Sequence, residues 1–455
     1  MHNKYNDLFD TLVKSYYEGD FDTTLNRIIT CHESSPQETF EIITSLCGVK
    51  IEFDNNYLYN LKKAITHYTV QKKVVEKLQC CSDDSCKGDD NKYNCQRACP
   101  FDAIYFDEEK GSTEIDGDKC LGCGICIESC KSGRILDKVQ YIPIIDLIKN
   151  NKTVIAAVAP AISGQFGDDV TMDQLRAAFI QMGFTDMIEV AFAADILSIK
   201  EAVEFNKHVK GPNDLMITSC CCPMWVGMLK KVYNELIDDL SPSVSPMVAA
   251  GRVIKKLNPD AKVVFVGPCI AKKAEAKEKD VAGGLGFVLA IDFVLTFQEV
   301  DEIFNAMDIR PRDLEGVPTK EYASKGGRLY ARTGGVSVAV HDVLNELYPD
   351  QIKNFKAVQA NGVIECKKIL NSALNGEINA SFLEGMGCVG GCVGGPKANI
   401  PTARGKEAVD NFAKESAIQV PVHSDTLDDV LGRLGIESLK DFEDKDKIQL
   451  FEREF

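Results

Sequence analysis

Apolar positions recur three and four apart in YNDLFDTLVKSYY and in NNYLYNLKKAITHYTVQKKVVEKL, so residues 1–78 are expected to form a small all-α domain packed on one side. From about residue 140 short apolar runs alternate with helical periods: KTVIAAVA, TMDQLRAAFIQMGF, DMIEVAF, AADILSIKEAVEFNKH, LMITS, PMWVGMLKKVYNELIDDL and AKVVFVG. That order predicts an α/β catalytic domain over 141–455, a mainly parallel sheet flanked by helices, with a C-terminal extension. Between the two, Cys80 to Cys130 is poor in aliphatics and holds nine cysteines among Asp, Gly and Lys. A stretch with so little apolar surface to bury is expected to fold around metal, which makes 79–140 a domain of its own.

The chain's 455 residues suit two to four domains. A formal charge of −16 repels phosphate backbones, so nucleic acid is not an expected partner. The longest apolar run, Val154 to Ile162, falls short of the ~18–20 residues of a spanning helix, and MHNKYNDLFD has no signal pattern. A cytoplasmic protein with no membrane partner is expected. In a reducing compartment the 18 cysteines are ligands, nucleophiles or small buried residues, not disulfides; Cys31, Cys47 and Cys366 are assigned to the buried class. GxxxxGK is absent and AGGLG near Gly283 does not satisfy GxGxxG, so no nicotinamide or flavin site is indicated.

The chemically distinctive residues follow the carboxyl ends of the expected strands, where open α/β sheets bind ligands: Ala159-Pro160-Ala161, Cys220-Cys221-Cys222-Pro223 and Gly267-Pro268-Cys269. Upstream, Cys120, Cys123, Cys126 and Cys130 have the spacing C-x2-C-x2-C-x3-C, which lets one tight loop hold three irons of a cube while the fourth thiolate points elsewhere. Cys81, Cys86, Cys95 and Cys99 are more widely spaced and end in Cys99-Pro100. The two quartets resemble the halves of a two-cluster ferredoxin. That resemblance implies that Cys120, Cys123 and Cys126 with Cys99 bind one 4Fe-4S cluster, and Cys81, Cys86 and Cys95 with Cys130 the other; Cys80 could replace Cys81. A zinc ribbon needs separated pairs of thiolates and does not call for interleaved quartets. Two such clusters form an electron wire, and a wire implies a redox centre at its end.

Three further motifs stand in order: Thr218-Ser219-Cys220-Cys221-Cys222-Pro223-Met224-Trp225, Gly267-Pro268-Cys269-Ile270-Ala271-Lys272-Lys273 and Glu384-Gly385-Met386-Gly387-Cys388-Val389-Gly390-Gly391-Cys392. Together they resemble the signature of the iron-only (FeFe) hydrogenases, over about residues 80 to 400. The resemblance implies reversible conversion of H2 to two protons and two electrons at an H-cluster, a 4Fe-4S cube joined to a two-iron unit carrying carbon monoxide, cyanide and an azadithiolate. It implies Cys222, Cys269, Cys388 and Cys392 as cube ligands, with Cys392 bridging the two parts. It also implies Lys272 as the anchor of a cyanide, with Pro160, Ala161 and Met386 against the two-iron unit. Its proton relay maps onto Cys221, water, Glu201, Ser241 and Glu204. By spacing alone, Glu201 and Glu204 would be one solvated helix face.

A small redox protein such as ferredoxin and maturation proteins for the two-iron unit are the implied partners, with H2 and protons as substrates. The chain departs from the family at His208, where arginine is common, at Gly267, in place of a methionine, and at Met247, in place of a glutamine; Cys220 is an extra residue of open role. The triple cysteine, the two ferredoxin-type clusters and the lack of small-subunit sequence after residue 400 look most like group B. Two rival readings are a hydrogenase-like iron–sulfur scaffold or assembly protein, and a hydrogen sensor.

Overall fold

The computed structural model describes residues 3–31, 35–68, 73–78, 86–211, 213–282, 289–320 and 322–455. Helices Asn6–Glu18, Phe21–Cys31, Pro36–Leu46 and Tyr57–Thr66 form where apolar residues recur three and four apart. Their buried faces, with Phe9, Leu12, Leu25 and Phe40, join the same apolar core as the sheets of the larger part of the chain. Tyr16 donates to Asp146 at 2.7 Å across this seam, and the Tyr17 and Tyr141 hydroxyls lie 2.6 Å apart.

The helical pattern does not extend to VVEKL. Four short strands, β1 (Val75–Lys77), β2 (Ile104–Asp107), β3 (Ser112–Ile115) and β4 (Ile135–Asp137), frame the cysteine-rich region. β1 pairs antiparallel with β4 and β2 with β3, so the start and end of the region are tied together. Partnership with β4 fixes Val75–Lys77 as strand despite its helical spacing. The apolar core here is small, Val74, Val75, Tyr93, Ile104, Ile127, Ile135 and Ile270, and is shared with Cys95, Cys126 and Cys130.

Seven strands follow: β5 (Val154–Val158), β6 (Asp186–Glu189), β7 (Met216–Ile217), β8 (Lys262–Val266), β9 (Phe293–Leu295), β10 (Ala357–Asn361) and β11 (Phe382–Met386). They make two parallel sheets, in the orders β6-β5-β8-β9 and β10-β11-β7, in keeping with the parallel α/β arrangement the sequence implies. β7, only two residues long, pairs with β11 (Met216 opposite Phe382) and not with β5 or β8. The expected helix PMWVGMLKKVYNELIDDL also divides, into Pro223–Lys231 and a 3-10 turn at Asn234–Asp239. Among the described residues no helix is long and apolar enough to cross a membrane.

Lys273 fastens β4 to this α/β body. Its ammonium lies 2.8 Å from Asp137, also bonds Glu299, and donates to the Lys138 carbonyl at 2.7 Å, with all three charged side chains fully buried. Lys273→Met leaves two buried carboxylates without their cation, and a loss of about 3–5 kcal/mol is expected. Urea unfolding checks this: the midpoint should fall well below that of the parent protein, and an equal midpoint contradicts the role.

Candidate active site

The carboxyl ends of β5, β7, β8 and β11 deliver the distinctive loops, because each parallel strand ends at the same edge of its sheet. Cys222 stands at the N-cap of the Pro223–Lys231 helix, and its sulfur accepts from the Gly387 N–H at 3.4 Å. Cys269 follows β8, and Cys388 and Cys392 follow β11. Between the last two, Gly391 has φ +85°, and a side-chain carbon there would lie 2.6 Å from the Thr333 backbone nitrogen, so glycine is required for this approach.

The four sulfurs act on one another. Burial, then the charges of the neighbouring cysteines, pushes the Cys269 thiol up to about 12 and raises Cys388 well above its ordinary value. Cys222 is also raised, chiefly by burial. Cys392 is lowered instead, because the Cys221 thiol hydrogen-bonds to it and the Lys272 ammonium is near. Among the described residues no three His, Cys, Asp or Glu side chains converge as a single metal ion would need. Four thiolates on one zinc would each lie ~2.3 Å from it. Four cysteine sulfurs close enough to act on one another are the donor set of an iron–sulfur cube.

Beside them is a small cavity of about 50 Å³ lined by Pro160, Ala161, Cys221, Met247, Phe265, Lys272, Tyr330 and Cys392, among others. Lys272 is only 6% exposed, donates to the Cys221 carbonyl at 3.2 Å and pairs with Glu275 at 2.6 Å. The Met386 sulfur is 3.8 Å from that of Cys221. Glycine at 267 has a local reason: a side-chain carbon there would lie 2.7 Å from the Phe265 ring.

The expected relay residues group in two clusters. Glu201, fully buried on the Ala191–His208 helix, accepts from the Thr218 hydroxyl at 2.8 Å. That hydroxyl is 3.1 Å from the Cys220 sulfur, itself 3.7 Å from the Tyr330 hydroxyl. The other Glu201 oxygen, Oε2, is buried without a hydrogen-bond partner among the described residues. In the second cluster Ser241 donates to Glu204 at 2.7 Å and lies 2.9 Å from the Ser243 hydroxyl. No hydrogen bond joins Glu201 to Ser241 or to Cys221 among the described residues, and Cys221 faces Cys392, Met386 and the Tyr330 carbonyl. His208 is exposed at the helix end. Sequence reasoning missed Thr218, Tyr330 and Lys200; Lys200 is 0% exposed and bonds Glu204 and Ser243. Its place inside the run IleLysGlu of a buried helix was the available signal.

Burial, helped by the charge of Glu204, pushes Glu201 up to about 8. A carboxyl whose folded value is raised contributes stability that is full below the unfolded value of ~4.3 and is lost as pH rises toward the folded one. Glu201→Gln, neutral throughout, should therefore show a shallower fall in melting temperature between about pH 5 and pH 8 than the parent. Parallel profiles would contradict the assignment.

The upstream cysteines form a second gathering. A small cavity of about 20 Å³ is lined by Cys99, Cys120, Cys123 and Cys126 with Phe101, Ile104, Ile115 and Leu121. Backbone N–H groups of Ala103 and Gly122 donate to the Cys99 and Cys120 sulfurs at 3.3 and 3.4 Å. Cys123 acts electrostatically on Cys388, so this set adjoins the group of Cys222, Cys269, Cys388 and Cys392. Cys86, Cys95 and Cys130 lie in or against the neighbouring small core, and the Arg134 N–H donates to Cys130 at 3.2 Å. Cys80 and Cys81 lie outside the described residues.

Residues 152–396, more than half of the chain, match the family described as iron only hydrogenase large subunit, C-terminal domain. The chain belongs to this hydrogenase family. Iron hydrogenase 1 of Clostridium pasteurianum is 27% identical over 399 residues, covering 67% of this chain and 68% of that protein. A probable cytosolic Fe-S cluster assembly factor of Drosophila grimshawi is 23% identical over 369 residues, 66% of this chain and 77% of its own. The family fold is seen in a variant of the FeFe hydrogenase from Chlamydomonas reinhardtii, with a TM-score of 0.56 at 20% identity, covering 68% of this chain and 97% of that one. The hydrogenase-family region contains Cys222, Cys269, Cys388, Cys392, Lys272 and the clusters around Glu201 and Glu204, whereas the other cysteine cavity precedes it.

Proposed function

We propose that this protein is an FeFe hydrogenase that converts H2 reversibly into two protons and two electrons. Cys222, Cys269, Cys388 and Cys392 would hold an H-cluster, whose two-iron unit supplies the site where H2 is split or formed. Lys272, Pro160, Ala161 and Met386 would bind that unit in the cavity, and the Lys272 ammonium is suited to an anionic cyanide. Cys221 would exchange a proton with the bound group, and Glu201, Ser241 and Glu204 would pass it outward, with Thr218 and ordered water spanning the gap between the clusters. Electrons would pass through a 4Fe-4S cluster on Cys99, Cys120, Cys123 and Cys126, then one on Cys86, Cys95, Cys130 and Cys81, to a ferredoxin-like carrier. We place the protein in group B, in the cytoplasm, dependent on maturation proteins, with three domains at 1–78, 79–140 and 141–455.

The observation that carries this reading is the cavity beside the four sulfurs, with a buried lysine at its wall and titratable groups leading away from it. A protein that only stores or delivers a cube has no use for either. The assembly-factor reading is favoured by the similarity to several cytosolic Fe-S cluster assembly factors, from Drosophila species and Schizosaccharomyces japonicus. Hydrogen-dependent reduction of a viologen dye by the matured protein separates the two: dye reduction is expected, and a fully iron-loaded, matured protein that reduces none would support the assembly role.

A further inference from the structure

The carboxyl-terminal residues of the chain reach the outer relay cluster. Val244 donates its N–H to the Phe451 carbonyl at 2.9 Å and Arg453 its N–H to the Pro242 carbonyl at 2.8 Å, so the tail lies along the segment that carries Ser241 and Ser243. Buried Arg252 fastens it from below, donating to the Leu450 and Glu452 carbonyls at 3.1 and 2.7 Å. The Glu452 side chain is thereby held 3.3 Å from the Lys200 ammonium, which also bonds Glu204 and lies 3.2 Å from the Ser243 hydroxyl. Exposure of the side chains rises outward along this set: Lys200 0%, Glu204 14%, Glu452 23%.

We infer that Glu452 is the outer proton-exchanging group of the site, a carboxylate that passes protons between Glu204 and solvent across the ammonium of Lys200. The inference rests on the hydrogenase reading. In the outward direction the Lys200 ammonium gives one N–H proton to the Glu452 carboxylate while it takes the proton of the Glu204 carboxyl. Glu204 becomes a carboxylate, Glu452 a carboxyl, and the lysine is an ammonium before and after; Glu452 then releases its proton to water. Lys200 is suited to this because its two carboxylates hold its charge in spite of complete burial.

The test uses matured full-length protein and the variants Glu452→Ala, Glu452→Gln and Glu452→Asp. Carbonyl and cyanide infrared bands should match the parent in all three, because the tail is anchored by its backbone and by Arg252. Turnover of Glu452→Ala and Glu452→Gln should fall at least about tenfold, less than the ~10²–10⁴ attributed to a positioned proton carrier because water shares the exit. Glu452→Asp should keep most activity, and formate or acetate should restore Glu452→Ala, which a purely structural role would not allow. Parent-like turnover in Glu452→Ala, or a loss that small acids and Asp fail to mend, overturns the exit assignment alone. A parent protein without the bands or turnover overturns the hydrogenase reading, and the exit with it.

Discussion

Cys221→Ala is expected to keep the iron content and the carbonyl and cyanide bands of the parent protein and to lose turnover by about 10²–10⁴-fold, the range for removing a positioned proton carrier. The thiol stands at the junction of the two halves of the site. It donates to the sulfur of Cys392, sits 3.8 Å from the Met386 sulfur, and has Lys272 on its own carbonyl. Alanine retains the backbone that Lys272 uses and removes the group that can take up and release a proton. Under the proposed function the electron route from the cysteine-rich region does not use that thiol, so dithionite reduction of clusters bound there should be unaltered. Turnover equal to the parent's would remove Cys221 from the path and leave the adjacent Cys220, bonded to Thr218 and Tyr330, as the group next to Glu201.

Cys392→Ala should have the opposite signature: no carbonyl or cyanide bands and no measurable turnover, with the upstream clusters retained. Cys392 is the one sulfur of the four whose proton affinity is lowered, through the hydrogen bond from Cys221 and the nearness of Lys272. It alone of the four lines the cavity that Cys221 and Lys272 share. Cys366→Ala is the matched control. That cysteine is buried close to Cys222 and hydrogen-bonds the Met386 carbonyl at 3.5 Å, so it shares the neighbourhood without facing the site. Iron analysis and infrared spectra of the two variants separate ligand from neighbour; retention of the bands in Cys392→Ala would exclude it as the bridge.

What the sequence made legible was local. Cysteine spacing within a loop survives folding, and Cys99, Cys120, Cys123 and Cys126 do line one cavity. Strand-end loops were readable because a short apolar run followed by Gly, Pro or Cys marks where a parallel strand stops. Which strands share a sheet was not readable, since the choice of β11 as the partner of a two-residue β7 depends on residues far along the chain. VVEKL was misjudged for the same reason: its helical period is real, and pairing with β4 overrides it. Glu201 and Glu204 share a helix, yet one is fully buried against Thr218 and the other is tied to Ser241 and Lys200. Spacing gave their common face but not their different partners. Glu452 left no sequence trace at all, because its role depends on the tail's return across the Pro242–Val244 segment.

Infrared spectroscopy of the matured protein tests the central claim most directly, because carbon monoxide and cyanide on iron absorb where protein does not. The account predicts sharp carbonyl and cyanide bands that shift under H2 and vanish in Cys392→Ala. A matured, iron-replete sample with no such bands would contradict it and would leave a cube-binding protein of another function.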